Sequence, residues 1–236
     1  MRSLEEYRAR KYYKAPFFAA PGSVSTIFGY GSFESEYAVE PRYALVDIET
    51  NSGAPTDNEG GAIEIAIVII DHKGRIEDRF ATLLKPENGD VGMTSLHGIT
   101  HEDVADAPTF GEVAGKILEM FDRSIIVAHN AKFEEMFLST EFKRAGIKLP
   151  PLPAIDSMWP AQMELDLYNY KLGTVVDYYG EEIRDAHSAM GDVLAMSIFM
   201  PKLLASAAEL TFPVKYPSLP ILSYNENFKD RSEHLY

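Results

Sequence analysis

The sequence predicts an α/β fold, a mixed sheet flanked by helices, on three observations. Two apolar runs rich in β-branched residues, Tyr43 to Ile48 and Ala62 to Asp71, come early, and a glycine-containing turn leads from the second into a returning segment. Helical periodicity then alternates with further short strands, and strands and hairpins followed by such alternation describe a sheet covered by helices. The length of 236 residues suits one core with appendages rather than two full domains.

Residues 1–41 read as an N-terminal arm: a short basic helix over Leu4 to Lys14, then a stretch rich in Gly, Ser and aromatic residues without periodicity. The central domain spans 42–205. Tyr43 to Ile48 and Ala62 to Asp71 are expected to be buried strands, with Asn51 to Gly61 an open loop beside the end of the first. His72-Lys73-Gly74 is a hairpin turn, and Arg75 to Leu84 returns as a third strand before Pro86. Pro108 precedes a helix over Thr109 to Asp122, with Phe110, Val113, Ile117, Leu118 and Phe121 at helical spacing. Ser124 to Ala128 is a fourth strand, Lys132 to Ala145 a helix closed by Gly146, and Ala154 to Asp156 a fifth strand. Leu172 to Tyr179 and Ser188 to Leu204 complete the helices. Residues 206–236, with Pro213, Pro217 and Pro220 among aromatic side chains, form an extended C-terminal arm docked on its own core or on a partner.

Composition excludes several classes. With no cysteine, disulfides, thiolate metal sites and cysteine nucleophiles are ruled out, so any metal must bind oxygen or imidazole. No apolar run approaches the roughly 18 residues of a membrane span, and Met1 to Ala20 lacks the pattern of a signal peptide, so the expectation is a cytoplasmic protein without membrane contact. A net charge of −14, with 14 basic and 27 acidic side chains in residues 41–205, argues against gripping long nucleic acid by neutralising many phosphates. Acidity on this scale serves solubility, or it awaits divalent cations that invert the local field. Met1 to Lys14 is net positive by three and is able to touch a nucleic-acid backbone, although a solvated or core-packed arm explains it better.

Three separated islands carry chemistry. Asp47 and Glu49 lie two apart on a strand, so their carboxylates share a face where a buried run emerges. Alone, Asp-x-Glu is more often a solvated strand end; paired oxygens here also suit a hard divalent cation. His129-Asn130-Ala131-Lys132-Phe133-Glu134 sits at a strand-to-helix junction, with Asn130 a candidate cap and Glu134 one turn in, where a carboxylate also favours the helix dipole. His187 and Asp192 are five apart and would diverge by roughly 140° on one helix. Their convergence requires His187 to precede the helix, on a loop beginning at Arg184-Asp185, with Ser188 as cap. A loop histidine with a pKa near 6.5 is suited to taking a proton from water near neutral pH.

In this order and with these residue types the islands resemble the DEDDh family of 3′ to 5′ exonucleases, the group that contains the proofreading subunit of bacterial replicases. Leu96-His97-Gly98-Ile99-Thr100, Asp106-Ala107-Pro108-Thr109-Phe110, Ile155-Asp156-Ser157 and Tyr170-Lys171-Leu172 extend the likeness across about Tyr43 to Leu204. The resemblance implies a ribonuclease H-like, five-stranded mixed sheet and hydrolysis of a terminal phosphodiester assisted by two divalent metals, Mg²⁺ or Mn²⁺. It implies Asp47, Glu49, Glu134 and Asp192 as metal ligands, His187 as general base, and Thr50, Leu96, His97, Asn130 and Phe133 around the terminal nucleotide. The implied partners are a single-stranded DNA or RNA 3′ end and a DNA polymerase or replisome reached through the terminal arms.

One position departs from the family pattern: Glu134 stands where the family has Asp. An added methylene moves the carboxylate by roughly 1 Å, which matters where geometry is demanding. The sequence therefore leaves three readings: a DNA exonuclease, an exoribonuclease or oligoribonuclease of the same fold, and a catalytically weak nuclease-fold module bound to a polymerase complex.

Overall fold

A computed structural model describes residues 27–30, 41–55, 59–183, 187–206, 215–226, 228 and 231. The helix expected over Leu4 to Lys14, the Arg184-Asp185 loop start and Pro213 lie outside the described residues. Six strands form one sheet: β1 (Phe28–Tyr30), β2 (Arg42–Thr50), β3 (Ala62–Ile70), β4 (Ile76–Leu83), β5 (Ser124–Ala128) and β6 (Leu152–Asp156). Their order is β1-β6-β5-β2-β3-β4, with β1, β6, β5 and β2 parallel and β3 antiparallel to both of its neighbours. The α/β class and mixed sheet agree with the sequence, but the sheet has six strands, not five.

The additional strand, β1, falls within the segment taken as an arm. Three residues in a Gly- and Ser-rich stretch carry no readable period; tertiary contacts hold them. Phe28 N–H donates to Glu135 Oε1 at 2.8 Å and Tyr30 O–H to Glu135 Oε2 at 3.0 Å, while β1 pairs in parallel with β6.

The described helices are α1 (Thr94–His97), α2 (His101–Val104), α3 (Phe110–Phe121), α4 (Ala131–Arg144), α5 (Met158–Glu164), α6 (Leu172–Tyr178) and α7 (Ala189–Ser206). Every residue of β3 is buried because helices cover both sheet faces, which is why it reads as a continuous apolar run rather than an alternating one. One face packs Tyr43, Leu45, Ala66, Val68 and Ile70 against α5, α6 and α7. The other packs Val46, Ile48, Ile65, Ile67 and Phe80 against α3 and α4.

The turn after β3 follows the sequence. Asp71 Oδ1 accepts from the N–H groups of Lys73 and Arg75, and Gly74 adopts φ 83° where an added Cβ would lie 2.4 Å from Pro201 of α7. The C-terminal arm docks on its own core: Leu219, Leu222 and Phe228 pack against the α3 and α4 side, and Phe228 meets Phe80 edge-on at 5.1 Å.

Candidate active site

The carboxyl ends of β2, β5 and β6 lie along one edge of the sheet, where open α/β sheets place their ligands. Backbone pairing of β2 with β5 ends at Leu45, so Asp47 and Glu49 extend past it on the face that meets α7. Asp192 stands in the first turn of α7. One oxygen from each of Asp47, Glu49 and Asp192 lies within 4.8 Å of the others, and all three residues are partly buried.

This crowding disfavours ionisation. Burial, then the Glu64 and Asp192 carboxylates, push Glu49 up to about 8. Burial raises Asp192 to about 6, opposed by the charge and backbone N–H of His187. Burial and, first among its charged neighbours, Glu134 hold Asp47 well above the usual carboxylate range. Glu134 is only 4 % exposed and is itself driven upward, chiefly by burial.

Glu134 Oε2 is buried with no hydrogen-bond partner among the described residues. Orphaned buried oxygens are rare and costly. Glu134 is not part of the grouping of Asp47, Glu49 and Asp192. A divalent cation within that grouping would relieve the repulsion among its carboxylates, one beside Glu134 would satisfy the orphaned oxygen, and all-oxygen donors suit Mg²⁺ or Mn²⁺. The residues therefore fit the Mg²⁺ or Mn²⁺ that the resemblance implies.

His187 precedes α7, as the divergence on a single helix required. It is exposed and adopts φ 68°, a left-handed conformation that histidine tolerates better than most residues. That turn lets its backbone N–H return to the Asp192 carboxylate. Ser188 caps the helix, its Oγ accepting from Gly191 N–H at 3.1 Å. His187 thus stands at the mouth of the carboxylate cluster.

The remaining expected residues divide. Leu96 and His97, on α1, line with His187 and Ser188 a cleft of about 780 Å³. Thr50, Asn130 and Phe133 are not among the described residues lining it. Thr50 Oγ1 donates to Ser52 O at 2.8 Å, and Phe133 leans on Phe137 with ring centroids 4.9 Å apart. Asn130 occupies the cap position of α4 but makes no side-chain cap bond. Its φ of 70° suits asparagine, and its backbone N–H is held by Asp156 Oδ1 at 3.0 Å.

Three supporting residues were not anticipated. Asp156, at the end of β6, also takes Met158 N–H at 3.0 Å and so fixes the junctions leading into both α4 and α5. Glu135 anchors β1. Glu64, only 3 % exposed, lies in register opposite Glu49 and accepts Ala189 N–H at 3.0 Å. Its signal was present in the sequence, as the sole charge in the run Ala62 to Ile70. His129 is a structural residue: Nε2 meets Tyr170 O at 2.8 Å and must donate, so Nδ1 accepts from Ser157 at 2.7 Å. Burial depresses it to about 4.

Residues 45–198 match the exonuclease family of the RNase T type. Over 211 residues, 89 % of this chain, the sequence is 29 % identical to a PolC-type DNA polymerase III of Caldanaerobacter subterraneus subsp. tengcongensis, covering 15 % of that protein. It is 25 % identical to the 3′-5′ exonuclease DinG of Bacillus subtilis over 174 residues, 73 % of this chain and 18 % of the relative. The chain therefore spans less than a fifth of either relative's length. Among solved structures, the nuclease domain of 3′hExo, a DEDDh family member bound to rAMP, superposes with a TM-score of 0.62 at 20 % identity, covering 74 % of this chain and 96 % of that one. E. coli exonuclease I in complex with a dT13 oligonucleotide gives 0.59 at 16 % identity, covering 69 % and 41 %. The fold is that of the ribonuclease H-like DEDDh exonucleases.

Proposed function

The chain belongs to this exonuclease family, and on that basis we propose that it shortens single-stranded DNA from the 3′ end, releasing nucleoside monophosphates. Asp47, Glu49, Glu134 and Asp192 hold two divalent cations, Mg²⁺ or Mn²⁺, and His187 is the general base. The observation that carries this is the grouping of Asp47, Glu49 and Asp192 within 4.8 Å, with His187 at the N-terminus of the helix that bears Asp192.

When bound, the cations supply Lewis acidity to the attacking and leaving oxygens of an in-line displacement. The chain does the rest. His187 takes the proton from the attacking water and, being exposed, passes it to solvent. The water oxygen bonds to phosphorus as the bond from phosphorus to the 3′ oxygen of the preceding nucleotide breaks, and that departing oxygen takes up a proton from solvent to become the new 3′ hydroxyl. Leu96 and His97 border the cleft beside His187 and bound the terminal nucleotide.

DNA is chosen over RNA because the curated relatives include PolC-type DNA polymerases, which also support a polymerase or replisome as partner. No described helix is long and apolar enough to cross a membrane, and the absence of cysteine suits the cytoplasm, where we place the activity. The test is kcat/KM on DNA and RNA single strands of one sequence. At least tenfold preference for DNA is expected; preference for RNA would make the chain an exoribonuclease.

A further inference from the structure

The C-terminal arm reaches Glu64, the residue paired with Glu49 of the carboxylate cluster. It runs along α3, where Asn225 N–H donates to Glu112 O at 3.0 Å and Tyr224 O–H to Glu119 Oε2 at 3.2 Å. At β4 the backbone N–H of Arg231 donates to Ala81 O at 2.8 Å. From that anchor the Arg231 guanidinium stands 2.8 Å from Glu64 Oε1, while Glu64 Oε2 accepts the N–H of Ala189, the first residue of α7, at 3.0 Å. A single carboxylate therefore joins the arm to the helix that carries Asp192.

Glu64 has need of a cation. It is buried directly opposite Glu49 in the antiparallel pair, and whenever Glu49 is ionised, like charges so placed destabilise a sheet. Glu49 belongs to the metal cluster; Glu64 does not. The positive end of α7 offsets its charge in part. Arg231 is the sole arginine or lysine among the described residues lining the 780 Å³ cleft, which otherwise carries Glu64, Glu102, Asp103 and Asp106.

We propose that Arg231 is a positioning residue supplied by the C-terminal arm: its guanidinium neutralises Glu64, so that Glu64 holds the N-terminus of α7, and with it His187 and Asp192, against Asp47 and Glu49 of β2. The effect on turnover rests on the exonuclease reading; the effect on α7 does not. Glu64 is buried although Arg231 is partly exposed, so removing the guanidinium leaves the Glu64 carboxylate costlier to keep there, and Glu64 then turns from Glu49 and releases Ala189.

The test uses the full chain with Arg231→Ala, Arg231→Lys and the double variant Arg231→Ala, Glu64→Gln. Steady-state cleavage of a 5′-labelled DNA oligonucleotide with Mn²⁺ is measured beside hydrogen exchange of residues 187–192. Arg231→Ala is expected to lower kcat by about tenfold or more with KM within about twofold, and to speed exchange at 187–192 by about tenfold while β2 is unchanged. Arg231→Lys should recover part of both. Glu64→Gln should rescue Arg231→Ala, since a neutral amide keeps an oxygen for Ala189 and requires no cation. Wild-type kcat and exchange in Arg231→Ala would overturn the proposal. So would a raised KM without rescue by Glu64→Gln, which makes Arg231 a substrate-phosphate contact. If the wild-type protein cleaves nothing, the exonuclease reading fails, and the exchange comparison alone decides whether Arg231 holds α7.

Discussion

Occupying the Asp47, Glu49 and Asp192 cluster with a divalent cation should expel protons in a number set by the geometry. Glu49 is held at about 8 and Asp192 at about 6, and Asp47 lies well above the carboxylate range. At pH 7 a group at 8 is roughly nine-tenths protonated and one at 6 roughly one-tenth. Glu49 therefore releases close to one proton per cation bound at pH 7, and the upward shift of Asp47 acts in the same direction. Affinity for Mn²⁺ should rise roughly tenfold per pH unit, for each proton released, between about pH 6 and 8. Titration calorimetry at pH 7 in buffers of different ionisation enthalpy counts those protons. The sign for stability is also fixed. Glu49 is raised in the folded state from an ordinary 4.5 to about 8, so the metal-free folded chain binds more protons than the unfolded one. Its stability should fall as pH rises through that window, and saturating Mg²⁺ should flatten the slope. A proton count near zero, with affinity flat from pH 6 to 8, would refute the reasoning, since the carboxylates would already be ionised without metal.

Further outcomes follow from individual side chains. His187→Ala should lower kcat by about 10²- to 10⁴-fold with Mn²⁺ affinity within about twofold; an equal loss of affinity in calorimetry would make His187 a ligand. Glu134→Asp draws back by about 1 Å the carboxylate that acts most strongly on Asp47 among its charged neighbours and should lower kcat by about tenfold or more, whereas a gain in the same assay would show that Glu134 holds the site below its capacity. In α3, an added Cβ at Gly115 would lie 2.6 Å from the Leu222 carbonyl. Gly115→Val should therefore displace the arm and speed limited proteolysis within residues 215–226, and an unchanged cleavage rate would show that the arm is not seated there.

What the sequence made legible was local. The period of two placed Asp47 and Glu49 on one face, and the angular cost of five residues on a helix put His187 ahead of α7, with Ser188 as cap. Burial on both faces made β3 unmistakable. What escaped depended on distant partners. β1 exists because Glu135 reaches it from 107 residues away, and Arg231 meets Glu64 across 167. The helix α5 shows no readable period over its seven residues, and its Pro160 lies in the first turn, where the missing N–H costs nothing. Asn130 was expected to cap α4 with its side chain; instead its left-handed backbone is what the junction uses, and Asp156 holds the N–H.

The most direct measurement is digestion of a 5′-labelled DNA single strand by the wild-type chain and by Asp47→Asn, in Mg²⁺, in Mn²⁺ and with chelator. The wild-type protein should yield a ladder that shortens from the 3′ end, stops on chelation and resumes when metal is restored, while Asp47→Asn yields none under any condition. A folded wild-type protein that leaves the strand intact with both metals, or an Asp47→Asn variant that cuts as fast, would contradict an active site built on these carboxylates.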